Sequence, residues 1–293
     1  MTSSGWKKVS EEEVLDLIST RFEKSGKKLP LVFDCDNTLL RGDVGILGAW
    51  GLLRSGLVDP EKVPEVWDAD HLRDCNFQDF EEMRNDLAME TSFTDVFEME
   101  TMLLSGFPVE QAKQIVAEAV DVGVKAGSIL FLEPIGTLAR KYAADSLIVS
   151  GSPITGVEAI GKKYGIDPER VFATELNIVD GIFRDEYGEF GVIWAESKQK
   201  ILEHNNFHEV FLVAGDSTGD WNMMKLAKEF VWCSLWPATK NPWATLRQQI
   251  ETHLPDDLKR APTEPGMYVG ENTGDNGLAK TWIAEVHAQP GPR

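Results

Sequence analysis

The chain has 293 residues, of which 42% are hydrophobic, enough to bury the core of one large domain or two smaller ones. Its 48 acidic residues outnumber 29 basic ones and give a net charge of −19. This charge argues against binding nucleic acids or anionic membrane surfaces, which require basic surfaces. The three cysteines (Cys35, Cys75 and Cys233) are widely spaced, match no metal-binding pattern and favour a reducing compartment.

The N-terminal segment has no sign of a targeting sequence. Residues 1–21 lack the apolar core of about 7–15 residues that is typical of a signal peptide. No run of about 18 apolar residues predicts a transmembrane helix. We therefore expect a soluble, cytoplasmic protein, whose oligomeric state the sequence does not indicate.

The predicted elements change character twice along the chain. A capped amphipathic helix at 10–24 precedes a short buried strand at 31–34. From 43 to 129 the apolar spacing is helical, with segments near 43–57, 60–70, 77–89 and 108–125. Helices and strands then alternate, which is typical of a parallel sheet covered by helices. The predicted helices are 134–144, 155–164, 196–204 and 219–229, and the predicted strands are 147–150, 171–174, 210–214 and 230–234, with a hairpin turn at Asp180-Gly181.

The helical block interrupts the alternating pattern directly after the first strand, which indicates two domains. Residues 1–42 and 130–293 are expected to form an α/β core with a Rossmann-like parallel sheet, and residues 43–129 an inserted all-helical cap. Within the core, 237–293 is a C-terminal extension rich in Pro, Gly, Thr and Asn. A helix at 242–252 is the one element predicted there.

Polar residues follow the predicted strands at the edge where parallel strands end, which is where ligands bind in open α/β sheets. Asp34 and Asp36 come directly after the first strand. Burying neighbouring carboxylates costs free energy unless a cation or a shared proton compensates. Thr38 follows them in the same loop, and further polar groups end later strands or open the helices beside them: Ser150, Gly151, Lys198, Asp216 and Asp220.

Each of these features alone has a simpler explanation. A DxD sequence is common in turns, the acids at 216 and 220 fit a helix N-terminus, and Ser150-Gly151 fits any strand-to-loop turn. The ordered set is more informative. It resembles the four motifs of the haloacid dehalogenase-like (HAD) phosphohydrolase superfamily: DxDx[TV], a strand-ending Ser or Thr, a Lys, and an acidic pair. The resemblance covers roughly 28–42 and 130–235.

The resemblance implies a role for each of these residues. Asp34 would be the nucleophile that forms an aspartyl-phosphate, and Asp36 the general acid and base. Asp34, the backbone carbonyl of Asp36, and Asp216 would hold Mg²⁺, with Asp220 as an auxiliary ligand or an orienting residue. The phosphate oxygens would be bound by Thr38, Ser150, Gly151 and Lys198.

The assignment of Lys198 rather than Lys200 follows from helix geometry. Lys198 lies in the first turn of the predicted helix 196–204. It faces the sheet edge if Ile201 and Leu202, three and four residues further on, face the core. Lys200 would then point elsewhere.

Among the reactions that share this scaffold, phosphatase chemistry fits best. A dehalogenase lacks the second acid, phosphonate cleavage also replaces it, and P-type ATPases carry membrane helices. Asp36 and Thr38 therefore indicate a phosphomonoester hydrolase, with a phosphomutase as an alternative. The alternative of another class is a catalytically silent HAD-fold binding protein, against which the presence of Asp34, Lys198 and Asp216 argues.

The helical insertion resembles the C1 cap of the phosphoserine phosphatase-like branch, which favours a phosphoserine-like small metabolite as substrate. That branch has an acid nine residues after the nucleophile that binds the substrate ammonium, and Asp43 occupies this position. It also has a cap Arg that binds the substrate carboxylate. Arg84 follows Phe80-Glu81 as in that branch, but at a shorter spacing. The alternative for Arg84 is a solvated side chain paired with Glu81 or Glu82.

The insertion carries most of the negative charge of the chain. Residues 43–129 contain 18 acidic and 6 basic residues, net −12. This charge favours a substrate with a cationic end group, and Trp50 and Trp67 are candidates to cage a quaternary ammonium. Phosphorylcholine or phosphoethanolamine is therefore an alternative to phosphoserine, as for the phosphorylcholine phosphatases of the same branch. The simpler explanation is a solvated acidic face with the aromatic residues in the core.

Overall fold

The computed structural model describes residues 11–63, 75–91, 93–133, 135–234, 266–271 and 282–286. The strands are β1 (Leu31–Phe33), β2 (Leu40–Arg41), β3 (Leu130–Phe131), β4 (Ser146–Pro153), β5 (Val171–Thr174), β6 (Leu176–Val179), β7 (Ile182–Tyr187), β8 (Val210–Gly215), β9 (Ala227–Ser234), β10 (Gly266–Glu271) and β11 (Trp282–Val286). The main sheet has seven strands in the order β11-β10-β9-β8-β1-β4-β5, and two antiparallel pairs, β2–β3 and β6–β7, lie outside it.

The five strands from β9 to β5 are parallel, and they confirm the predicted α/β class. β1 lies at the centre of this group, where Phe33 stands opposite Ile148 and Ala214. Its three residues are fully buried, because helices cover both faces of a parallel sheet and a continuous apolar run suits such a strand. The amide of Asp34 continues the ladder by donating to the carbonyl of Ala214 at 2.9 Å.

The helices are α1 (Glu11–Lys24), α2 (Val44–Ser55), α3 (Phe77–Glu90), α4 (Phe93–Met102), α5 (Val109–Ala126), α6 (Ile135–Lys141), α7 (Ile154–Tyr164), α8 (Glu196–His204) and α9 (Trp221–Met224). Helix α2 packs on α5, and both pack on α7, which covers β4 and β5. The buried apolar side chains of these helices belong to the same cluster as Phe33. The pairing of β2 with β3 also brings the two ends of 43–129 together. The division into a core and a cap stays a prediction.

One predicted helix is wrong. In place of a helix at 219–229, a 3₁₀ turn at Thr218–Asp220 precedes the four-residue α9, and β9 begins at Ala227. Within this segment Glu229 is buried and pairs with Arg21 of α1 at 2.9 Å. Strand pairing with β8 and β10 therefore overrides local helix preference.

Two further differences concern elements that the sequence pattern did not reveal. Helix α4 was not predicted, and neither were β10 and β11 of the C-terminal extension, which lengthen the sheet in antiparallel fashion. The predicted helix at 242–252, Ser10 and Trp67 lie outside the described residues. Among the described helices, none combines the length and the apolar character needed to cross a bilayer.

Candidate active site

The loop after β1 turns sharply, and this turn aims its two acids into a cavity. The amides of Thr38, Leu39 and Leu40 all approach the carbonyl of Cys35 at 2.9–3.3 Å. Asn37 has a φ of 56°, a left-handed conformation that Asn tolerates better than most residues. Asp34 and Asp36 line the cavity, whereas Cys35 is fully buried among apolar side chains.

The cavity has a volume of about 320 Å³ and lies between the strand ends and the helical insertion. Its floor is formed by residues that follow the parallel strands, and its opposite wall comes from α2, α3 and α4. The floor consists of Asp34, Asp36, Ser150, Gly151, Ser152, Lys198, Asp216 and Ser217, and the wall of Asp43, Ile46, Glu81, Arg84, Asn85 and Phe97. The structure thus brings together nearly all of the predicted site residues.

Lys198 lies between two carboxylates at the centre of the floor. Its Nζ donates to Asp34 Oδ1 at 2.6 Å and to Asp220 Oδ1 at 2.7 Å, and the side chain is 1% exposed. Burial opposes protonation, yet the Asp220 and Asp34 carboxylates outweigh burial and raise the pKa of Lys198. As predicted, Ile201 and Leu202 are buried, while Lys200 is 58% exposed.

Asp220 is used on both of its oxygens. Oδ1 accepts from Lys198, and Oδ2 accepts from the backbone amides of Asp216 and Ser217 at 3.0 Å and from the Ser217 hydroxyl at 3.1 Å. A Cβ at Gly215 would lie 2.5 Å from the Cβ of Asp220, so the close approach requires glycine. These contacts suit an orienting role for Asp220 better than direct metal ligation.

The carboxylates fit a divalent cation. Asp34, Asp216 and Asp220 each offer an oxygen, and these atoms lie within 4.8 Å of one another. Burial and the Asp220 charge raise the pKa of Asp34 to about 7 although Lys198 opposes the shift, and burial with the Asp34 charge raises the pKa of Asp216. Lys198 alone therefore does not compensate the negative charge of these three acids. A divalent cation such as Mg²⁺ would do so, because it prefers carboxylate oxygens as ligands. Asp34 and Asp216 are the residues that could hold it, since both oxygens of Asp220 already accept hydrogen bonds.

Asp36 is held by two hydrogen bonds. Its Oδ1 accepts from the amide of Val44, the first residue of α2, at 2.6 Å, and its Oδ2 accepts from the Ser152 hydroxyl at 2.6 Å. Burial and the charges of Asp43 and Asp34 raise the pKa of Asp36. The two hydrogen bonds lower it and so offset part of this rise. A carboxyl with a raised pKa suits proton transfer near neutral pH. Sequence reasoning missed Ser152, although it stands two residues after Ser150.

Ser150 and Gly151 lie at an irregularity of β4. The register with β5 shifts between Ser150 and Pro153, and such bulges re-aim side chains at the ends of strands. The carbonyl of Gly151 accepts from the Thr174 hydroxyl at 2.7 Å, and this bond holds the loop that lines the cavity. Thr38 differs, because it is fully buried and is not among the described residues that line the cavity. Its predicted role in phosphate binding gains no support from this position.

The cavity wall contains a second buried cation, Arg84, which is 2% exposed. Its Nε donates to Glu100 Oε1 at 2.8 Å, and its Nη2 lies 3.4 Å from Asp43 Oδ2. Asp43 also caps α2 by accepting from the amide of Ile46 at 3.1 Å. The alternative of a solvated Arg84 is therefore wrong. Asp43 and Arg84 both line the cavity, whereas Glu100 lies behind them and was not found from the sequence.

The aromatic side chains of the cavity are Phe97 and Trp194, with ring centroids 5.5 Å apart. Trp50 lies elsewhere: its Nε1 donates to the carbonyl of Cys75 at 3.1 Å and its ring packs on Phe77. The prediction of Trp50 as part of an aromatic cage is wrong. Phe97 was missed because its helix, α4, was missed.

A family model described as haloacid dehalogenase-like hydrolase matches residues 31–225, from β1 to the end of α9. The chain belongs to the haloacid dehalogenase-like hydrolases. The match covers every predicted site residue on the floor and the wall of the cavity. No curated protein matches the HAD hydrolase chain.

Three solved structures are similar to this hydrolase, and the first two share its fold. A conserved, functionally unknown protein from Anaerococcus prevotii DSM 20548 is 17% identical with a TM-score of 0.54, covering 87% of this chain and 93% of its own. A protein of unknown function from Bordetella pertussis Tohama I is 18% identical with a TM-score of 0.52, covering 76% and 94%. A phosphoserine phosphatase in its apo form is 21% identical with a TM-score of 0.42, covering 78% and 100%.

Proposed function

We propose that this HAD hydrolase is a Mg²⁺-dependent phosphatase that acts on a small phosphorylated metabolite. The observation that carries the proposal is the Asp34–Lys198–Asp220 network beside Asp36 and Asp216 at the ends of the parallel strands. A nucleophile, a proton-transfer group, a cation and a set of metal-ligating oxygens meet at one cavity. This is the combination that hydrolysis of a phosphate monoester requires.

Asp34 is the proposed nucleophile. Its carboxylate attacks phosphorus, the bond to the ester oxygen breaks, and an aspartyl-phosphate forms on the protein. Held between the strand end and Lys198, Asp34 is fixed in position before the substrate arrives. Mg²⁺ held by Asp34 and Asp216 would supply charge neutralisation between the nucleophile and the phosphate. Lys198, the Ser150 hydroxyl and the amide of Gly151 would bind the transferring oxygens.

Asp36 is the proposed general acid and base. In its protonated form it donates a proton to the departing alkoxide, and the resulting carboxylate removes a proton from the water that cleaves the aspartyl-phosphate. Both steps need a carboxyl group whose protonated form is populated near neutral pH. Burial and the neighbouring acids provide this by raising the pKa of Asp36.

The helical insertion is proposed to act as the cap that selects the alcohol of the substrate. Asp43 and Arg84 line the cavity opposite the nucleophile, which supports a phosphoserine-like ester, with the ammonium at Asp43 and the carboxylate at Arg84. The tight pairing of Arg84 with Glu100 favours the second candidate, an ammonium-bearing ester without a carboxylate, such as phosphoethanolamine or phosphorylcholine. A cavity of about 320 Å³ suits ligands of this size.

The test is hydrolysis of p-nitrophenyl phosphate with Mg²⁺. We expect activity that EDTA abolishes and Mg²⁺ restores, and we expect Asp34→Asn to lower it by at least about 10³-fold because the nucleophile is lost. Asp180→Asn is the matched control: Asp180 is exposed at the hairpin turn, with a φ of 55° that Asn accepts. An inactive wild-type protein, folded by circular dichroism, would instead support the silent binding protein.

A further inference from the structure

Glu100 lies on α4, one layer behind the cavity wall. It is fully buried, and its Oε1 accepts from Arg84 Nε at 2.8 Å. Arg84 also lies 3.4 Å from Asp43, so one positive charge stands between two carboxylates. Arg84 is the only cationic side chain among the described residues of the wall, and it is thus already paired with carboxylates of the protein itself.

The space around Glu100 holds it in this position. A Cβ at Gly45 would lie 2.8 Å from Glu100 Oε2 and 3.1 Å from both Asp43 Oδ1 and the Ser152 hydroxyl. These three oxygens therefore converge on the first turn of α2. Among the described residues, no hydrogen-bond donor reaches Glu100 Oε2. Glu100 thus acts on Arg84 through its charge and through the hydrogen bond that Oε1 accepts from Arg84 Nε.

The charge balance of the wall decides which group a substrate can present. Asp43, Glu81 and Glu100 stand against Arg84, so the wall is negative when the acids are ionised. A carboxylate entering here meets an arginine that is already neutralised and two further acids nearby. An ammonium group gains from Asp43 and Glu81 without displacing an existing pair.

We propose that Glu100 is a positioning residue that neutralises Arg84 and thereby makes the cavity select ammonium-bearing phosphate esters that lack a carboxylate. This inference rests on the proposed phosphatase function and specifies its substrate class. Phosphoethanolamine and O-phospho-L-serine are a matched pair of probes, because they differ by the carboxylate alone.

The experiment measures binding of both esters by calorimetry to the Asp34→Asn protein with Mg²⁺, so that turnover does not interfere. A pH of about 8 keeps Glu100 ionised, since burial raises its pKa to about 7 against the effect of Arg84. We expect phosphoethanolamine to bind about tenfold more tightly. Adding Glu100→Gln, which keeps the size of the side chain and the acceptor for Arg84 Nε, should shift the ratio by about tenfold or more towards phosphoserine.

The control for this substitution is Glu98→Gln, an exposed acid on the same helix, which should leave the ratio unchanged. In the protein with Asp34 intact, Glu100→Gln should change kcat/KM for p-nitrophenyl phosphate by less than about threefold, since this ester has neither an ammonium group nor a carboxylate. If Glu100→Gln weakened p-nitrophenyl phosphate hydrolysis and the binding of the two amino esters by the same factor, its role would be purely structural and the proposal would be overturned. A ratio of phosphoethanolamine to phosphoserine affinity that is the same with and without Glu100→Gln would also overturn it.

The comparison of the two esters in the Asp34→Asn protein with Glu100 intact decides the question even if Glu100→Gln does not fold. Tighter binding of phosphoserine than of phosphoethanolamine at this pH overturns the proposal, and so does the absence of binding by both esters. Failure of the phosphatase proposal is a different result: no hydrolysis of any ester, with the binding preference still measurable in the Asp34→Asn protein.

Discussion

Two regions of the molecule each contain a buried cation between two carboxylates. At the strand ends, Lys198 lies 2.6 Å from Asp34 and 2.7 Å from Asp220. In the helical insertion, Arg84 lies 2.8 Å from Glu100 and 3.4 Å from Asp43. Both cations are almost fully buried, at 1% and 2% exposure.

The difference lies in how the remaining oxygens are satisfied. The second oxygen of Asp220 accepts three hydrogen bonds, two of them from the backbone. The second oxygen of Glu100 accepts none from the described residues, and the pKa of Glu100 is about 7 because of burial. Backbone and side-chain donors therefore hold Asp220 in the first cluster, whereas among the described residues Glu100 accepts a hydrogen bond from Arg84 alone. This suits the first to chemistry and the second to selection of a substrate.

The largest expected effect comes from removing the fixed cation. Lys198→Met keeps the length of the side chain but leaves Asp34 and Asp220 without a counter-charge. Removing one partner of a buried ion pair costs about 3–5 kcal/mol. We expect the free energy of unfolding, measured in urea without metal, to fall by this amount, and p-nitrophenyl phosphate hydrolysis to be lost.

Lys200→Met is the matched control for Lys198→Met. Lys200 stands two residues further along α8, is 58% exposed and pairs with Glu196 at 3.2 Å. Exposed pairs contribute little, so the free energy of unfolding should change by less than about 1 kcal/mol and activity should be retained. Equal losses of unfolding free energy and of activity in the two variants would contradict the proposed role of Lys198 as the counter-charge of Asp34 and Asp220.

The corresponding change in the second cluster should be smaller and should depend on pH. In Arg84→Met, Glu100 loses the charge that opposes its raised pKa, so its pKa rises above about 7. Below pH 7 Glu100 is protonated in both proteins and the loss in unfolding free energy is about 1–3 kcal/mol. Above pH 7 the variant binds more protons than the wild-type fold, so the loss grows as pH rises.

Urea unfolding at about pH 6 and about pH 8.5 checks this prediction. Arg84 and Asp43 are the charged groups that act on Glu100. The control is therefore Glu100→Gln combined with Arg84→Met, which removes the titrating group and should remove the growth of the loss with pH. A loss that does not change with pH would contradict the titration of Glu100 beside Arg84.

The same contrast explains how much the sequence predicted. Asp34, Lys198 and Asp216 all line the cavity, because each stands at the end of a strand or the start of a helix, where local patterns and parallel topology determine position. The Arg84–Glu100 pair joins two helices, and its formation depends on how α3 and α4 pack. No local pattern encodes that packing, so Glu100 and Phe97 were missed together with α4.

The fold shows the same division between local and non-local information. The parallel strands around β1 were predicted from short apolar runs between helices. The start of β9 was mistaken for a helix, and β10 and β11 were missed, because these segments become strands through pairing with neighbouring strands of the sheet. Strand preference depends on such partners more than helix preference does.

The smallest predicted effect concerns Ser152, which holds the carboxyl group of Asp36. Its hydroxyl donates to Asp36 at 2.6 Å and also stands beside the first turn of α2, close to Glu100. This bond lowers the pKa of Asp36, so Ser152→Ala should raise that pKa further and slow proton removal from water. We expect kcat for p-nitrophenyl phosphate to fall by about 3- to 10-fold, with the acidic limb of the pH profile moved to higher pH.

Ser146→Ala separates this effect from a general loss of stability. Ser146 is buried at the opposite end of β4, and its hydroxyl donates to the carbonyl of Tyr142 at 2.8 Å. Both variants lose one buried hydrogen bond, so both should lower the free energy of unfolding by about 1 kcal/mol. The pH profile should move only in Ser152→Ala. A profile that moves in neither variant would mean that proton transfer at Asp36 does not limit the rate, and that the hydroxyl of Ser152 serves packing alone.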